Sequence, residues 1–524
     1  MCANTSVRLA CIRLECPPLS RPERILLSTS RSLGPGHSWG IAARAWSAEG
    51  HRIVAASETS LAAASEISPT EVVISVPGNI RGLSTSSLSV SSDALGEYER
   101  YRQSSDFSKT HATLLLMMSR VDSTGSFRGL EREVLARRVN LEVIQILLRA
   151  RPTVAIFDVT PHEAFEFALL KVLEWLSIPT LMFQPSLVGP QVIARTGISK
   201  NLEVPFPSRG LSQHAAAQEA VVKISLAALA RLRAGTGTVK MDVQRAKEGS
   251  SSTVGARFRA VLAALRRLGK AGQDSEFSLT GHHIRPTILR RALEVYLERS
   301  LRSSLTSSVR KLMPLKTPPK NRYALMALHY EPERSSIPEG SPFDSQLDAV
   351  IAARDFLPSE VELVVKEHFS QQAAALRGFV GRSPDFYDLV SSLPGVRLVG
   401  VHSDTRLLMT QAECVITLTG KVGIEAVGEG TPVLALGQPW WLGMPGTLPI
   451  AEASNYQSFL DACVTNRDAL DAWLRHMVEN VLLPGVASVP PDRYSSRTAN
   501  LPVGFELLEA EGLIGAFRSL VGAP

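Results

Sequence analysis

The chain is predicted to be an α/β protein: two Rossmann-like, doubly wound domains with a helical middle segment between them. Three observations predict it. Short apolar runs of strand length alternate with stretches of helical periodicity over residues 21–205 and again over 321–485, the pattern of parallel sheets covered by helices on both faces. Between them, residues 206–320 lose the alternation and become rich in Ala and Arg. Length agrees, since 524 residues exceed one ordinary core and suit two domains of roughly 150 to 200 residues plus connections.

The elements follow in order. Residues 1–20 read as a flexible tail. "RILLSTS" (Arg24 to Ser30) is a strand, "GPGH" a turn, "SWGIAARAWSAEGH" an amphipathic helix and "RIVAAS" a second strand, a β-loop-α-β opening. "EVVISV" and "TVAIFD" (Thr153 to Asp158) are further strands, with a helix from Glu131 to Arg149 between them; "PHEAFEFALLKVLEWLS" is a helix and "IPTLMF" the strand after it. The middle segment carries helices at Gln213 to Arg233, Ala256 to Leu268 and Pro286 to Leu312, with Arg257, Arg259, Arg266, Arg267, Lys270, Arg290, Arg291, Arg310 and Lys311 among its cations, and closes on the hinge "KTPPKN". From Arg322 the alternation resumes: "RYALMAL", a helix from Asp344, "VELVVKE", a helix from Pro384, "VRLVG", a short helix near Thr405, "CVITLTG", a helix from Val422 and "PVLALG". Residues 486–524 open Pro-rich and end in a helical pattern, Phe505 to Leu520, which fits against either domain.

Hydrophobic residues at 44% and charged residues at 20% exclude a disordered chain. No run approaches the ~18 apolar residues of a membrane span, and the start lacks a signal-type apolar core, so a cytoplasmic protein is expected. Five cysteines, three of them at Cys2, Cys11 and Cys16, form neither a disulfide framework nor a convincing metal site. A net charge of +6 favours anionic partners: a nucleotide, an acidic glycan or an anionic membrane surface. The basic helices either lie on such a surface, peripheral at the inner membrane face, or form a solvated face. Nucleic acid is not expected, because no reading module accompanies the basic groups.

Ligands in doubly wound sheets bind beyond the carboxyl ends of the strands, and there the sequence concentrates its polar groups. In the second domain one strand delivers His329, Tyr330, Glu331 and Glu333; the next Lys366, Glu367 and His368; a third Thr417, Thr419 and Gly420, ahead of a helix carrying Glu425. The run Thr419, Gly420, Lys421, Val422, Gly423 suits phosphate, because first-turn amides and small residues let an oxyanion approach. An ordinary packing turn fits it equally well. In the first domain Asp158, His162 and Glu163 gather at a strand end, where a carboxylate or imidazole can take an acceptor hydroxyl's proton. The loop "GPGHSWG" places Gly36 and His37 near a ligand edge; it lacks the third glycine of a dinucleotide fingerprint, so NAD is not expected. Trp440 and Trp441 are core anchors or a sugar-stacking platform.

"LHYEPERSS", "VVKEHFSQ", "RSPDFYDLV" and "TLTGKVGIEAVGEGTPVLALG" resemble successive motifs of the capsule polysaccharide biosynthesis proteins, GT-B glycosyltransferases that include the capsule Kdo transferases; "FDVTPHEAFEFALLKVLEWLSIPTLMFQ" is similar to the family's Pro-His-Glu segment. The resemblance implies two domains facing a cleft and transfer of a sugar from a CMP-, UDP- or GDP-linked donor to a glycan or lipid-linked acceptor, with no cofactor and no metal. The family's Lys-Glu-His-Pro element falls on Lys366, Glu367 and His368, the histidine meeting the donor phosphate; its Thr-Gly-x-x-Gly-x-Glu element falls on Thr419, Gly420, Gly423 and Glu425, with Lys421 adding charge. Phe369 stands where the family has proline, which leaves a non-catalytic assembly partner open, beside a sugar-nucleotide epimerase of similar architecture.

Overall fold

The computed structural model describes residues 22–77, 90–120, 129–186, 188–202, 204, 215–233, 276–277, 283–284, 288–333, 335–372, 378–486 and 498–522. The expected helix over Ala256 to Leu268, with its four arginines, Lys270 after it, and the cysteines of the tail lie outside these residues. The chain divides into two compact units, one of 1–115, 133–229 and 475–524, the other of 116–132 and 230–474.

The first unit is built on β1 (Arg24–Ser28), β2 (Arg52–Ser57), β3 (Ile74–Val76), β4 (Val154–Phe157), β5 (Thr180–Pro185) and β6 (Gln191–Thr196). Across the sheet they run β6-β5-β4-β1-β2-β3, with the short strand Leu483–Pro484 outside β6 and Lys200–Asn201 also paired to β6. Strands β3 to β5 are parallel; β6 turns back antiparallel on β5. β1 and β4 read as unbroken apolar runs because both faces are covered. One cover is helix α1 (Ser38–Ala48), which buries Trp39, Ala42, Ala43 and Trp46 at helical spacing. The C-terminal helix Phe505–Val521 belongs here too: Phe517 packs on Trp46 with ring centroids 5.2 Å apart. Its Glu509 is buried, accepting from Ser38 Oγ at 2.7 Å and pairing with Arg31 at 3.3 Å. The three antiparallel strands at this edge, β6, Lys200–Asn201 and Leu483–Pro484, were not expected; two of them are only two residues long, and β6 interrupts its apolar run with Gln191 and Arg195, which weakens a strand pattern.

The second unit carries β7 (Tyr323–Ala327), β8 (Glu362–Lys366), β9 (Val396–Val399), β10 (Cys414–Thr417), β11 (Val433–Ala435) and β12 (Thr447–Pro449). Their order is β9-β8-β7-β10-β11-β12, all parallel. The α/β class with two largely parallel sheets is therefore as expected. Helix Ile288–Lys311 buries Leu305 and Val309 toward its end, while Leu289, Leu293 and Tyr296 stand 83%, 55% and 66% exposed near its start. Among the described residues no helix is long and apolar enough to cross a membrane.

Both sheets share one consequence of their winding. Chain order reverses between β1 and β4 in the first unit and between β7 and β10 in the second. At such switch points the loops leave to opposite faces and open a crevice at the carboxyl edge.

Candidate functional site

In the second unit the switch point brings the ends of β7, β8 and β10 together. His329 follows β7 and is buried. Its Nε2 accepts the Thr419 amide at 3.3 Å and lies 3.5 Å from Thr417 Oγ1, while its own amide donates to Gln346 Oε1 at 2.7 Å. The imidazole thus clamps β7 to the turn after β10. Desolvation, with the Arg382 charge second, lowers its pKa to about 4, so the ring is neutral and its proton sits on Nδ1.

His368 follows β8. Its Nδ1 accepts the Ser370 amide at 3.2 Å, which leaves the proton on Nε2 as a directed donor. Phe369, in the place of the family proline, opens a short 3₁₀ turn, Phe369–Gln372. That turn supplies the Ser370 amide, so the ring is fixed without proline. Burial lowers the His368 pKa to about 3, helped by the charges of Lys366, Arg382 and Lys421 and by His329. This ring too is therefore neutral. The Tyr330 ring is 6.3 Å from that of His368. Lys366 Nζ faces the carbonyls of Glu367 and Val401 at 3.3 and 3.4 Å, and burial lowers its pKa.

Two of the expected donor residues, Glu331 and Glu367, share a buried cation: Arg382, ahead of helix α3 (Pro384–Ser392), reaches Glu367 Oε2 at 3.0 Å and Glu331 Oε2 at 3.3 Å and donates to the His329 carbonyl at 3.1 Å. Tyr387 donates to Glu367 at 2.7 Å. Glu331 also anchors through its backbone, its amide donating to Gln371 Oε1 at 2.9 Å and its carbonyl accepting from Gln371 Nε2 at 3.1 Å. Arg382 was not singled out in the sequence, nor were Gln346 and Gln371, which brace the same two loops. The Glu333 carbonyl accepts from the Ser336 and Ile337 amides at 3.3 and 3.1 Å and from Arg120 at 3.0 Å, so this residue closes a turn.

The turn into helix α4 (Val422–Glu429) hydrogen-bonds several of its own amides. The amides of Thr419, Gly420 and Gly423 are spent internally, on His329, on Thr417 Oγ1 at 3.2 Å and on the Gly420 carbonyl at 3.0 Å. Gly423 serves packing: a Cβ there would lie 2.5 Å from the ring of Trp441, itself buried like Trp440. Gly423→Ala is accordingly expected to lower stability by about 1–3 kcal/mol through overpacking, read as a lower urea midpoint; a midpoint equal to wild type would contradict the contact. Lys421 pairs with Glu425 at 3.9 Å one turn on. Burial raises the Glu425 pKa against the pull of Lys421.

In the first unit Asp158 follows β4 and is buried, its Oδ2 accepting the Ser30 amide at 3.0 Å and Ser30 Oγ at 2.9 Å. His162 Nδ1 lies 3.1 Å from the Thr160 carbonyl. Glu163 is the cap residue of helix α2 (Ala164–Trp175), with extended backbone. Gly36 has open space where a Cβ would stand. His37 caps α1, its amide donating to the Gly34 carbonyl at 3.1 Å. Among the described residues no group of three or more His, Cys, Asp or Glu is placed to hold a metal.

Two largely parallel sheets in an α/β fold, each with polar groups at its switch point, are what the described residues form. Over residues 250–485 the chain carries the sequence pattern of the family described as capsule polysaccharide biosynthesis protein, the family its motifs resemble. No curated protein matches the chain. Similar solved structures include a Thermosulfurimonas dismutans KpsC, beta Kdo 2,7 transferase (19% identity, 32% of this chain and 52% of that one, TM-score 0.21). A beta Kdo 2,4 transferase structure of KpsC from the same organism has 11% identity, 59% and 79% coverage and a TM-score of 0.24. The UDP-GlcNAc 2-epimerase of Methanocaldococcus jannaschii has 12% identity, 72% and 84% coverage and a TM-score of 0.20. The chain thus spans about half, 52%, of the first of these proteins.

Proposed function

We propose that the chain is a GT-B-type, metal-independent glycosyltransferase of capsular or surface polysaccharide biosynthesis, and that it binds the nucleotide-sugar donor at the carboxyl edge of the second sheet. One observation carries the reading: at that switch point His368 directs a neutral Nε2–H from a ring that feels Lys366, Arg382 and Lys421 together. A neutral donor among cations suits a phosphate that gains charge as the glycosidic bond breaks, because fixed donors stabilise developing charge without reorganising. The family pattern over residues 250–485 supports the same substrate class.

Thermal shift with a panel of CMP-, UDP- and GDP-sugars tests it. A donor at a hundred times its Kd is expected to add about 2.7 kcal/mol, a shift of a few degrees, and the best hit should lose that shift in His368→Ala, Lys366→Ala and Glu425→Ala. No saturable shift with any of them, in a chain whose unfolding remains cooperative, would sink the reading. Phe369 keeps a second reading in view, a partner protein that binds donor without turning it over. Donor hydrolysis in the wild type that vanishes in His368→Ala decides for the enzyme, and the Ser370 amide on His368 Nδ1 at 3.2 Å favours that outcome.

A further inference from the structure

In the second unit, helix Ile288–Lys311 turns a face to water that the proposed transfer does not use. Its other side is settled: Leu305 and Val309 are buried, the helix packs on α3 and on the short helix Gly378–Gly381, and the Arg302 guanidinium stacks 4.8 Å above the Phe379 ring. Glu294 and Glu298, the acids of this helix, continue the spacing of Leu305 and Val309 and are half-buried. The outward stripe begins with Leu289, Leu293 and Tyr296, spaced by four and three residues, and at the same spacing runs on through serines to Arg310, every member exposed and none of them acidic. Arg299 and Lys311 flank it, and with Arg302 and Arg310 they line one open trough. Apolar side chains in water therefore occupy the first half of the face and cations the second.

We propose that this face docks on an anionic lipid surface, with Leu289, Leu293 and Tyr296 entering the headgroup boundary and Arg299, Arg310 and Lys311 pairing with the anionic headgroups. A polyanion in water would pair with the arginines and gain nothing from the exposed leucines. An apolar protein groove would take the leucines and leave the cations without counter-charges. An anionic bilayer surface takes both, because its acyl boundary receives apolar side chains while its headgroups hold cations. Tyr296, an apolar ring with a polar tip, suits that boundary. At 1.5 Å per residue the stripe from Leu289 to Arg310 extends about 32 Å, long enough to meet several headgroups. Docking needs neither donor nor turnover, so it stands apart from the transferase reading.

Flotation of the full chain with lipid vesicles decides it. Binding is expected with phosphatidylcholine vesicles that carry about a third phosphatidylserine, and should be at least about tenfold weaker with phosphatidylcholine alone. Salt should weaken it as the screening length falls from about 10 Å at 0.1 M to about 3 Å at 1 M. Arg299→Gln, Arg310→Gln and Lys311→Gln combined should lose at least about tenfold. Leu289→Ser with Leu293→Ser should lose a comparable factor. Both variants should keep the wild-type urea midpoint, because the substituted side chains are exposed. Equal binding to the two vesicle types, or binding to neither, overturns the proposal. Either variant binding as the wild type does also overturns it, and a loss confined to the cation variant would mark a soluble polyanion as the partner instead.

Discussion

Replacing Arg382 by alanine is expected to cost the second unit about 3–5 kcal/mol, the range found when one partner of a buried ion cluster is removed, and to abolish nucleotide binding with it. The guanidinium has 0% of its side chain exposed, and Glu331 and Glu367 have 10% and 0%. It stacks 4.3 Å above the Phe386 ring while it donates to both carboxylates and to the His329 carbonyl. Without it, two carboxylates stay buried with no cation between them, and the loops that carry His329 and His368 lose their common anchor. Protonation is their escape: the Glu331 carboxyl, already raised by burial against the pull of Arg382, should rise further. The deficit in urea midpoint should therefore shrink between pH 7 and pH 5. Arg382→Lys restores charge without the planar fork that spans two acids and a carbonyl, so it should recover only part of the loss. An alanine variant within about 0.5 kcal/mol of wild type at pH 7, the scatter of ordinary surface changes, would show the cluster to be dispensable.

That cluster marks where the sequence stops being legible. The strand ends were readable, because an apolar run that breaks into His, Tyr and Glu names the carboxyl edge of a buried strand without any knowledge of its neighbours. Parallel pairing then follows from the alternation, and the meeting of His329 with the turn after β10 follows from the winding. What each polar group does at the edge was not readable. Glu331 and Glu367 look like ligand-facing acids until Arg382 is placed between them, and it lies 51 and 15 residues away along the chain. The Thr419 turn has the composition of a phosphate loop, yet its amides are taken by His329, by Thr417 and by the turn itself. Only long-range geometry tells a spent amide from an available one. Glu166, whose Oε1 accepts from Ser28 Oγ at 3.1 Å, went unread for the opposite reason: in "AFEFALLKVLEW" an acid flanked by phenylalanines reads as a solvent-facing helix position, and its place beside β1 depends on how the helix sits on the sheet.

The neutral histidines give the second large effect, a loss of stability on acidification. The His329 pKa is about 4 in the fold and about 6.5 in an unfolded chain. Below pH 6.5 the unfolded state therefore binds the additional proton, and stability falls as pH falls from 6.5 toward 4. A shift of that size corresponds to about 3 kcal/mol at 1.36 kcal/mol per pH unit. His368, lowered to about 3, acts in the same direction. Glu331 and Glu425, both raised by burial, act oppositely: their folded forms bind protons more readily, so acid favours them and part of the loss is offset. Glu166 in the first unit, raised to about 8, contributes stability that is complete below pH 4.5 and fades as pH climbs through 8. The two units should thus prefer different ends of the pH scale. Urea midpoints at pH 7, 5.5 and 4 check this, with His329→Gln as the control, because glutamine carries no proton to gain and can still accept the Thr419 amide. The variant's midpoint should fall less steeply below pH 6.5 than that of the wild type. Equal slopes would mean that the His329 pKa is the same in the folded and unfolded states, so that burial does not hold the ring neutral.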